Sequence, residues 1–271
     1  MAKKMNKKEQ YAVYGIEYDT KTGHINSPIG FIPMLLVDGN DKIGKTDKKR
    51  GLDGVFHFST VPGTFLYDVT INGKSFTVKG TCPCNCKGCY AMSGNYTRYG
   101  YDNVAWRTVI AREYTDFMVK AIIAQINVEG IKMCRIHASG DFFNDEYIAA
   151  WQKIVKACSG CVFWSYTKNS NAESAFDNYS NINIVKSVIK GYGFNFGKIE
   201  YILKVYKALK ESGKSVYICR CGIDKNQHCN TCKGCSNHDY VLFTEHSTDY
   251  KAEKDPLYET IKEIIEQQPK Q

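Results

Sequence analysis

No run of about 18 apolar residues occurs anywhere in the chain, so nothing in it reads as a membrane-spanning helix. The opening MAKKMNKKEQ is charged and lacks the apolar segment of a secretory signal. There is no P-loop and no strict G-x-G-x-x-G, which argues against the familiar nucleotide-binding enzymes. Internal repeats and low-complexity tracts are missing as well. These absences make a cytoplasmic protein with no membrane partner the expectation. Apolar residues form 43% of the 271 positions and aromatics 13%, enough for the core of one large α/β domain or two small ones.

Charge and cysteine are what the chain does have. Its 36 Lys and Arg against 28 acids leave a net charge of +8, with a basic cluster at KIGKTDKKR (42–50). The excess fits a polyanion such as nucleic acid, although solvated basic loops are the commoner reading. There are 12 cysteines. In a reducing compartment clustered thiols point to metal or redox chemistry sooner than to disulfides. Cys134, Cys158 and Cys161 lie in apolar surroundings and read as core residues. The other nine form two groups: Cys82, Cys84, Cys86 and Cys89, then Cys219, Cys221, Cys229, Cys232 and Cys235.

Periodicity divides the chain. Residues 1–73 read as a β-rich extension. YAVYGIEYD (11–19) looks strand-like, and TFLYDVTINGKSFTV (64–78) carries an Asn-Gly hairpin signal. Residues 74–271 read as an α/β iron–sulfur domain in which strands alternate with helices. SFTVKGT enters the first Cys loop, and one long helix is expected over 102–126. KMCRIHASG, CVFWSYTKN, INIVKSVIKG, SVYICR and DYVLFTEHS supply further strands, with helices at 145–157, 198–213 (closed by Gly) and 255–267. About six mainly parallel strands separated by helices imply an α/β sheet or a partial (β/α) barrel. GYGFNFG (191–197) reads as a Gly-rich connector, with an aromatic substrate loop as the alternative. Arg107 and Arg112 read as surface charges, Trp151 and Trp164 as core.

TCPCNCKGCY (81–90) admits two ligand sets. All four cysteines could close around zinc or an iron–sulfur cluster. Cys82, Cys86 and Cys89 alone, in C-x3-C-x2-C spacing, would leave one iron of a four-iron cluster open. The second group, CRCGIDKNQHCNTCKGC, contains a C-x2-C-x2-C run that suits a cluster, while His228 and His238 permit a mixed zinc site. His137 and Asp141 flank a strand end and could form an acid/base pair. Tyr166 and Lys168 are pocket candidates.

C-x3-C-x2-C following a strand of an α/β chain resembles the radical S-adenosylmethionine superfamily. That resemblance implies a reducible cluster whose open iron binds the methionyl group, and a reductant such as flavodoxin or ferredoxin. It places Ser139, Gly140 and Asp141 of HASGDFF at the cofactor amine, Thr167 of YTKN at the third strand end and Ser187 of IVKSV near the ribose. The chain departs from that pattern in having Cys84 inside the motif, Gly88 before the third cysteine, and Ser-Gly-Asp in place of Gly-Gly-Glu. The second Cys group would then hold an auxiliary cluster. TCP…CYAMSGNY, RIHASGDFFNDEYIAAWQKI, FWSYTKN and HCNTCKGC together resemble the gene-product-88-like family of phages and mobile elements, from about residue 50 to 246. This implies a bacterial or phage-infected host cell and leaves a second functional expectation open. In it the chain is a non-catalytic or redox-sensing iron–sulfur, or zinc, protein that binds nucleic acid.

Overall fold

A computed structural model describes residues 5–39, 43–86, 89–92, 101–220, 223, 227–245 and 251–268; Cys221 lies outside them. The chain starts with a helix, α1 (Lys7–Val13). Asn6 and Glu9 close a reciprocal capping box, each side chain accepting the other's backbone N–H, at 3.0 and 2.7 Å. This corrects the strand expected over 11–19. The cap nucleates a helix through Val13, and Tyr18 forms only an isolated bridge to Ile25.

An antiparallel pair follows, β1 (Ile25–Ser27) with β2 (Gly30–Ile32), and then the short strand β3 (Val55–His57). β4 (Leu66–Ile71) and β5 (Lys74–Lys79) form the hairpin the Asn-Gly pair announces. Asn72 and Gly73 both take positive φ, 50° and 78°, as a tight two-residue turn demands. Two helices, α2 (Asp102–Glu113) and α3 (Thr115–Glu129), replace the single one expected. The break is at Tyr114, where the backbone opens to φ −138° and ψ 47°. Beyond them come β6 (Met133–Ile136), α4 (Asp145–Ala157), β7 (Val162–Thr167), α5 (Ser170–Ala175) and β8 (Ile182–Lys186). The supposed connector holds two short strands, β10 (Gly193–Phe194), paired with β9 (Val188–Ile189), and β11 (Phe196–Gly197). The chain ends with α6 (Ile199–Glu211), β12 (Val216–Ile218), α7 (Cys229–Cys232), β13 (Tyr240–Thr244) and α8 (Tyr258–Gln267).

The fold is mixed α/β around a four-stranded parallel sheet of order β3-β6-β7-β8. The remaining parallel strands do not extend that sheet as one six-stranded array. They form a second sheet, β11-β13-β12, linked to the first where Lys186 N–H donates to the Asp239 carbonyl at 3.1 Å.

Strand alternation buries the first sheet on both faces. Cys134, Ile136 and Phe163 pack with Ile110, Ile122, Trp151 and Ile154 of α2, α3 and α4. On the other face Val55, Trp164 and Val185 pack with Tyr217, Cys219, Cys232 and Cys235. A parallel sheet needs such double cover, because neither face is polar enough to meet water. Tyr11, Leu35 and Phe58 belong to the same core as these helices, and β3 is a sheet strand within the stretch read as extension.

The surface roles expected for two arginines are also corrected. Arg107 is buried, donating to the carbonyls of Leu35 and Met34 at 2.9 and 3.2 Å. Arg112 is half-buried against the Phe143 ring and donates to the Lys79 and Gly80 carbonyls at 3.3 and 3.2 Å.

Candidate functional site

β5, the strand before the first Cys loop, is a hairpin strand outside the parallel sheet. The hairpin nevertheless returns the chain to the place it left. Thr81 N–H donates to the Val61 carbonyl at 2.9 Å and Cys82 N–H to the Gly63 carbonyl at 3.1 Å. The loop thus begins beyond the carboxyl end of β3, where Thr60 N–H also meets the Ser139 carbonyl at 3.0 Å beyond β6. In parallel sheets this edge is where loops from several strands converge.

Asp141 is the centre of that convergence. Its Oδ1 accepts from the Thr167 hydroxyl at 2.6 Å and from Phe142 N–H at 2.8 Å, and its Oδ2 accepts from Lys168 N–H at 2.9 Å. Its own N–H donates to the Thr81 hydroxyl at 3.1 Å. Burial raises the carboxyl pKa, against the lowering effect of the Thr167, Lys168 and Phe142 donors. Gly140, at φ 86°, could not carry a side chain: a Cβ there would collide with the hydroxyls of Thr60 and Thr81. Ser139 spends its hydroxyl on the Thr60 carbonyl at 2.9 Å, and Ser187 joins the edge through its N–H to the Thr167 carbonyl at 3.0 Å.

The thiols of the first group face this edge. Burial pushes the Cys82 thiol up to about 12, with Asp141 raising it further and Lys168 lowering it. Burial also raises Cys84, reinforced by Cys86, whose Sγ stands 3.6 Å away. Burial opposes the charge on Lys168, but Cys86, Asp141, Cys82 and Cys84 outweigh it and leave the ammonium pKa raised. Among the described residues Lys168 is therefore a cation of this site, in keeping with its expectation as a pocket residue.

The structure does not bring His137 and Asp141 into a pair. The backbone at His137 is left-handed, φ 61°. Its ring packs in the helix-side core, edge-on to Phe142 at 4.6 Å, with Nε2 2.9 Å from the Tyr147 hydroxyl and Nδ1 3.4 Å from that of Ser165. Burial, aided by Arg135, lowers its pKa from 6.5 to about 3, so the folded state holds it neutral. This contribution to stability is complete above 6.5 and is lost as pH falls toward 3. The limiting slope is about 1.4 kcal/mol per pH unit. His137→Asn, which tolerates the left-handed backbone, should flatten the fall in unfolding free energy over that window. Some slope will remain from His57, which burial lowers to about 4. An unchanged slope in denaturant titrations would assign the acid sensitivity elsewhere.

The second group occupies a different place, the sheet face opposite the helices. Cys219, Cys229, Cys232 and Cys235 line one cavity of about 460 Å³, which also includes Trp164 and Asn230. The Tyr166 hydroxyl donates to Cys235 Sγ at 2.6 Å, and the Tyr217 hydroxyl lies 3.2 Å from Cys232 Sγ. Arg135 sits over the Tyr166 ring at 4.9 Å and Arg220 Nε donates to the Tyr217 hydroxyl at 2.8 Å. Asn183 pins the loop by donating to the carbonyls of Cys235 and His238, both at 2.8 Å. His238 Nδ1 is 2.9 Å from the Gly234 carbonyl. Nδ1 of His228 is buried with no hydrogen-bond partner among the described residues. The two groups are served by successive residues of β7: Tyr166 reaches the second and Thr167 the Asp141 edge of the first. Tyr217, Arg135 and Thr60 escaped sequence reasoning, since no spacing marks a residue that joins these sites only across the fold.

Among the described residues, no three His, Cys, Asp or Glu side chains already stand together as a single-ion site. The donor chemistry fits thiolate-bound metal nonetheless. Each group combines several thiols with nearby cations or hydroxyl donors that stabilise thiolate charge. Among the described residues no helix is long and apolar enough to cross a membrane.

Comparison with known proteins agrees with the motif combination. The family described as Gene product 88 matches residues 34–249. The Gene 88 proteins of Mycobacterium phages D29 and L5 are each 26% identical over 113 residues, 37% of this chain and 46% of the relative. The matched region therefore spans less than half the length of those relatives. No solved structure matches at a significant level. With most of its length under the family match, the chain belongs to the Gene product 88 family.

Proposed function

We propose that this chain is an iron–sulfur protein with radical S-adenosylmethionine-like chemistry at the first Cys group and an auxiliary cluster at the second. One observation carries the reading: Thr81, at the start of the first Cys loop, accepts from Asp141 N–H, and the Asp141 carboxylate in turn accepts from the Thr167 hydroxyl and Lys168 N–H at the carboxyl edge of the parallel sheet. Cys82, Cys86 and Cys89 would hold the cluster, and Cys219, Cys229, Cys232 and Cys235 the second one. When bound, the first cluster and its cofactor supply one-electron cleavage chemistry. The chain's own residues bind and orient. Asp141 Oδ1 accepts two hydrogen bonds and Oδ2 one, so Oδ2 keeps room for a further donor such as a cofactor ammonium. Lys168 balances thiolate charge, and the Thr60–Thr81 hydroxyl pair, 2.8 Å apart, keeps the Gly140 turn close to the loop. In this reading the two sheets, joined at Lys186 and Asp239, serve as the wall of a partial (β/α) barrel, and the protein works in the cytoplasm with a flavodoxin- or ferredoxin-type reductant.

The test is anaerobic reconstitution, dithionite reduction and electron paramagnetic resonance with and without S-adenosylmethionine. A shifted cluster signal accompanied by 5′-deoxyadenosine is the expected result. An unchanged signal with intact cofactor refutes the radical reading.

A second reading has its own observation, the buried His228 Nδ1, which has no hydrogen-bond partner among the described residues and precedes Cys229 in the chain. It favours a mixed Cys/His zinc site in the second group. Zinc without sulfide in that group, by elemental analysis of first-group Cys→Ala protein, would establish it.

A further inference from the structure

KGYGFNFGK (190–198) sets aromatic rings at alternate positions with glycine or asparagine between them and a lysine at each end. In the fold Tyr192 is exposed, and Phe194 and Phe196 are half-buried. Asn195 points in and donates to the Val241 carbonyl at 2.9 Å, so its neighbours Phe194 and Phe196 share the opposite side. Their rings lie 6.3 Å apart and within 20° of parallel. Tyr192 beside them is 39% exposed. The ledge is held in place from below: the Tyr201 hydroxyl donates to the carbonyls of Tyr192 and Phe194 at 3.2 and 2.6 Å, and Gly197 lies flush against the Tyr201 ring. Together they border an open hollow of about 460 Å³, in which Glu200 is the one acid among the described lining residues, next to Lys198. Lys168 places its ammonium 5.7 Å from the centre of the Phe194 ring, and its backbone N–H donates to Asp141 Oδ2 at 2.9 Å, so the ledge borders the Asp141 edge.

The geometry points to single-stranded nucleic acid as the ligand of this ledge. Unpaired bases offer flat faces to Tyr192, Phe194 and Phe196, and the exposed Lys190 and Lys198 supply cations for the phosphates. A duplex keeps its base faces stacked inside and cannot use the rings. An acidic peptide would use the lysines but leave the rings without flat partners. The chain's net charge of +8 favours a polyanion in either case, so the rings are what discriminate. Binding here does not depend on a bound cluster, and failure of the radical chemistry would leave it standing.

The test uses the full-length chain, with and without reconstitution, and fluorescence anisotropy with a labelled oligo(dT) of about 15 nucleotides. A duplex of equal length and poly-glutamate serve as competitors. Expected are preferential binding of the single strand, weakening with salt, and a loss of about tenfold for Phe194→Ala or Phe196→Ala. Tyr192→Ser, at an exposed ring, should weaken binding without disturbing the circular dichroism spectrum, which guards against misfolding of the other variants. The proposal is overturned by absence of binding, by equal competition from duplex or poly-glutamate, or by aromatic variants that bind like the parent.

Discussion

If the proposed clusters are present, alanine at Cys82, Cys86 or Cys89 should remove about half of the iron and sulfide of the reconstituted protein, whereas Cys84→Ala should retain it all. The four thiols are not equivalent in the fold. Cys84 is exposed, while Cys82, Cys86 and Cys89 are each half-buried. Cys82 is tied back to Gly63 through its N–H, and Cys89 N–H closes a turn on the Cys86 carbonyl at 3.2 Å. Three thiols therefore come from a braced frame and the fourth from its outer rim. A three-thiolate cluster has an iron left over for a small-molecule ligand, whereas four protein thiolates close it. Iron and sulfide per chain, with paramagnetic resonance spectra of each variant, read the difference. Equal losses from Cys84→Ala and Cys86→Ala would mean a closed site and remove the basis for cofactor cleavage.

Arg107→Ala is expected to destabilise the fold by roughly 3–5 kcal/mol. This guanidinium, on α2, is 7% exposed and has no carboxylate partner among the described residues. It donates instead to the carbonyls of Leu35, Met34 and Asn103 and lies 4.1 Å from the centre of the Trp106 ring. Burial lowers its pKa to about 9, which keeps it charged at neutral pH. Alanine would strand the carbonyls of Leu35 and Met34 and open a void. Arg107→Lys should recover only part of the loss, since an ammonium cannot reproduce the planar fork. Urea unfolding midpoints at neutral pH measure both, and a change below about 1 kcal/mol for alanine would show that water replaces the guanidinium without penalty.

The elements legible in the sequence were those whose signals are local. The 145–157 helix carries its own cap, Asn144 accepting from Tyr147 N–H at 2.8 Å, and a clear apolar stripe. The β4–β5 hairpin is written in Asn72-Gly73. β3 carries no local signal, because three residues are too few to display alternation, and the sequence offers β5 instead as the strand entering the first Cys loop. Apolar periodicity ran across residues 102–126 without a proline or glycine at Tyr114, and nothing local announced the break there.

By itself the sequence determined that two dense thiol groups exist, that helices and strands alternate around them, and that Asp141, Thr167 and Ser187 follow strand ends. These are properties of neighbours in the chain. Only the tertiary structure decided which of them meet. Parallel pairing of β3, β6 and β7 brings residues 60, 81, 141 and 167 within hydrogen-bond reach of one another, although up to 107 positions separate them in sequence. The left-handed backbone at His137 sends that ring into the helix-side core instead. Alternation along β7 parts the two thiol groups, because consecutive side chains of one strand must leave by opposite faces.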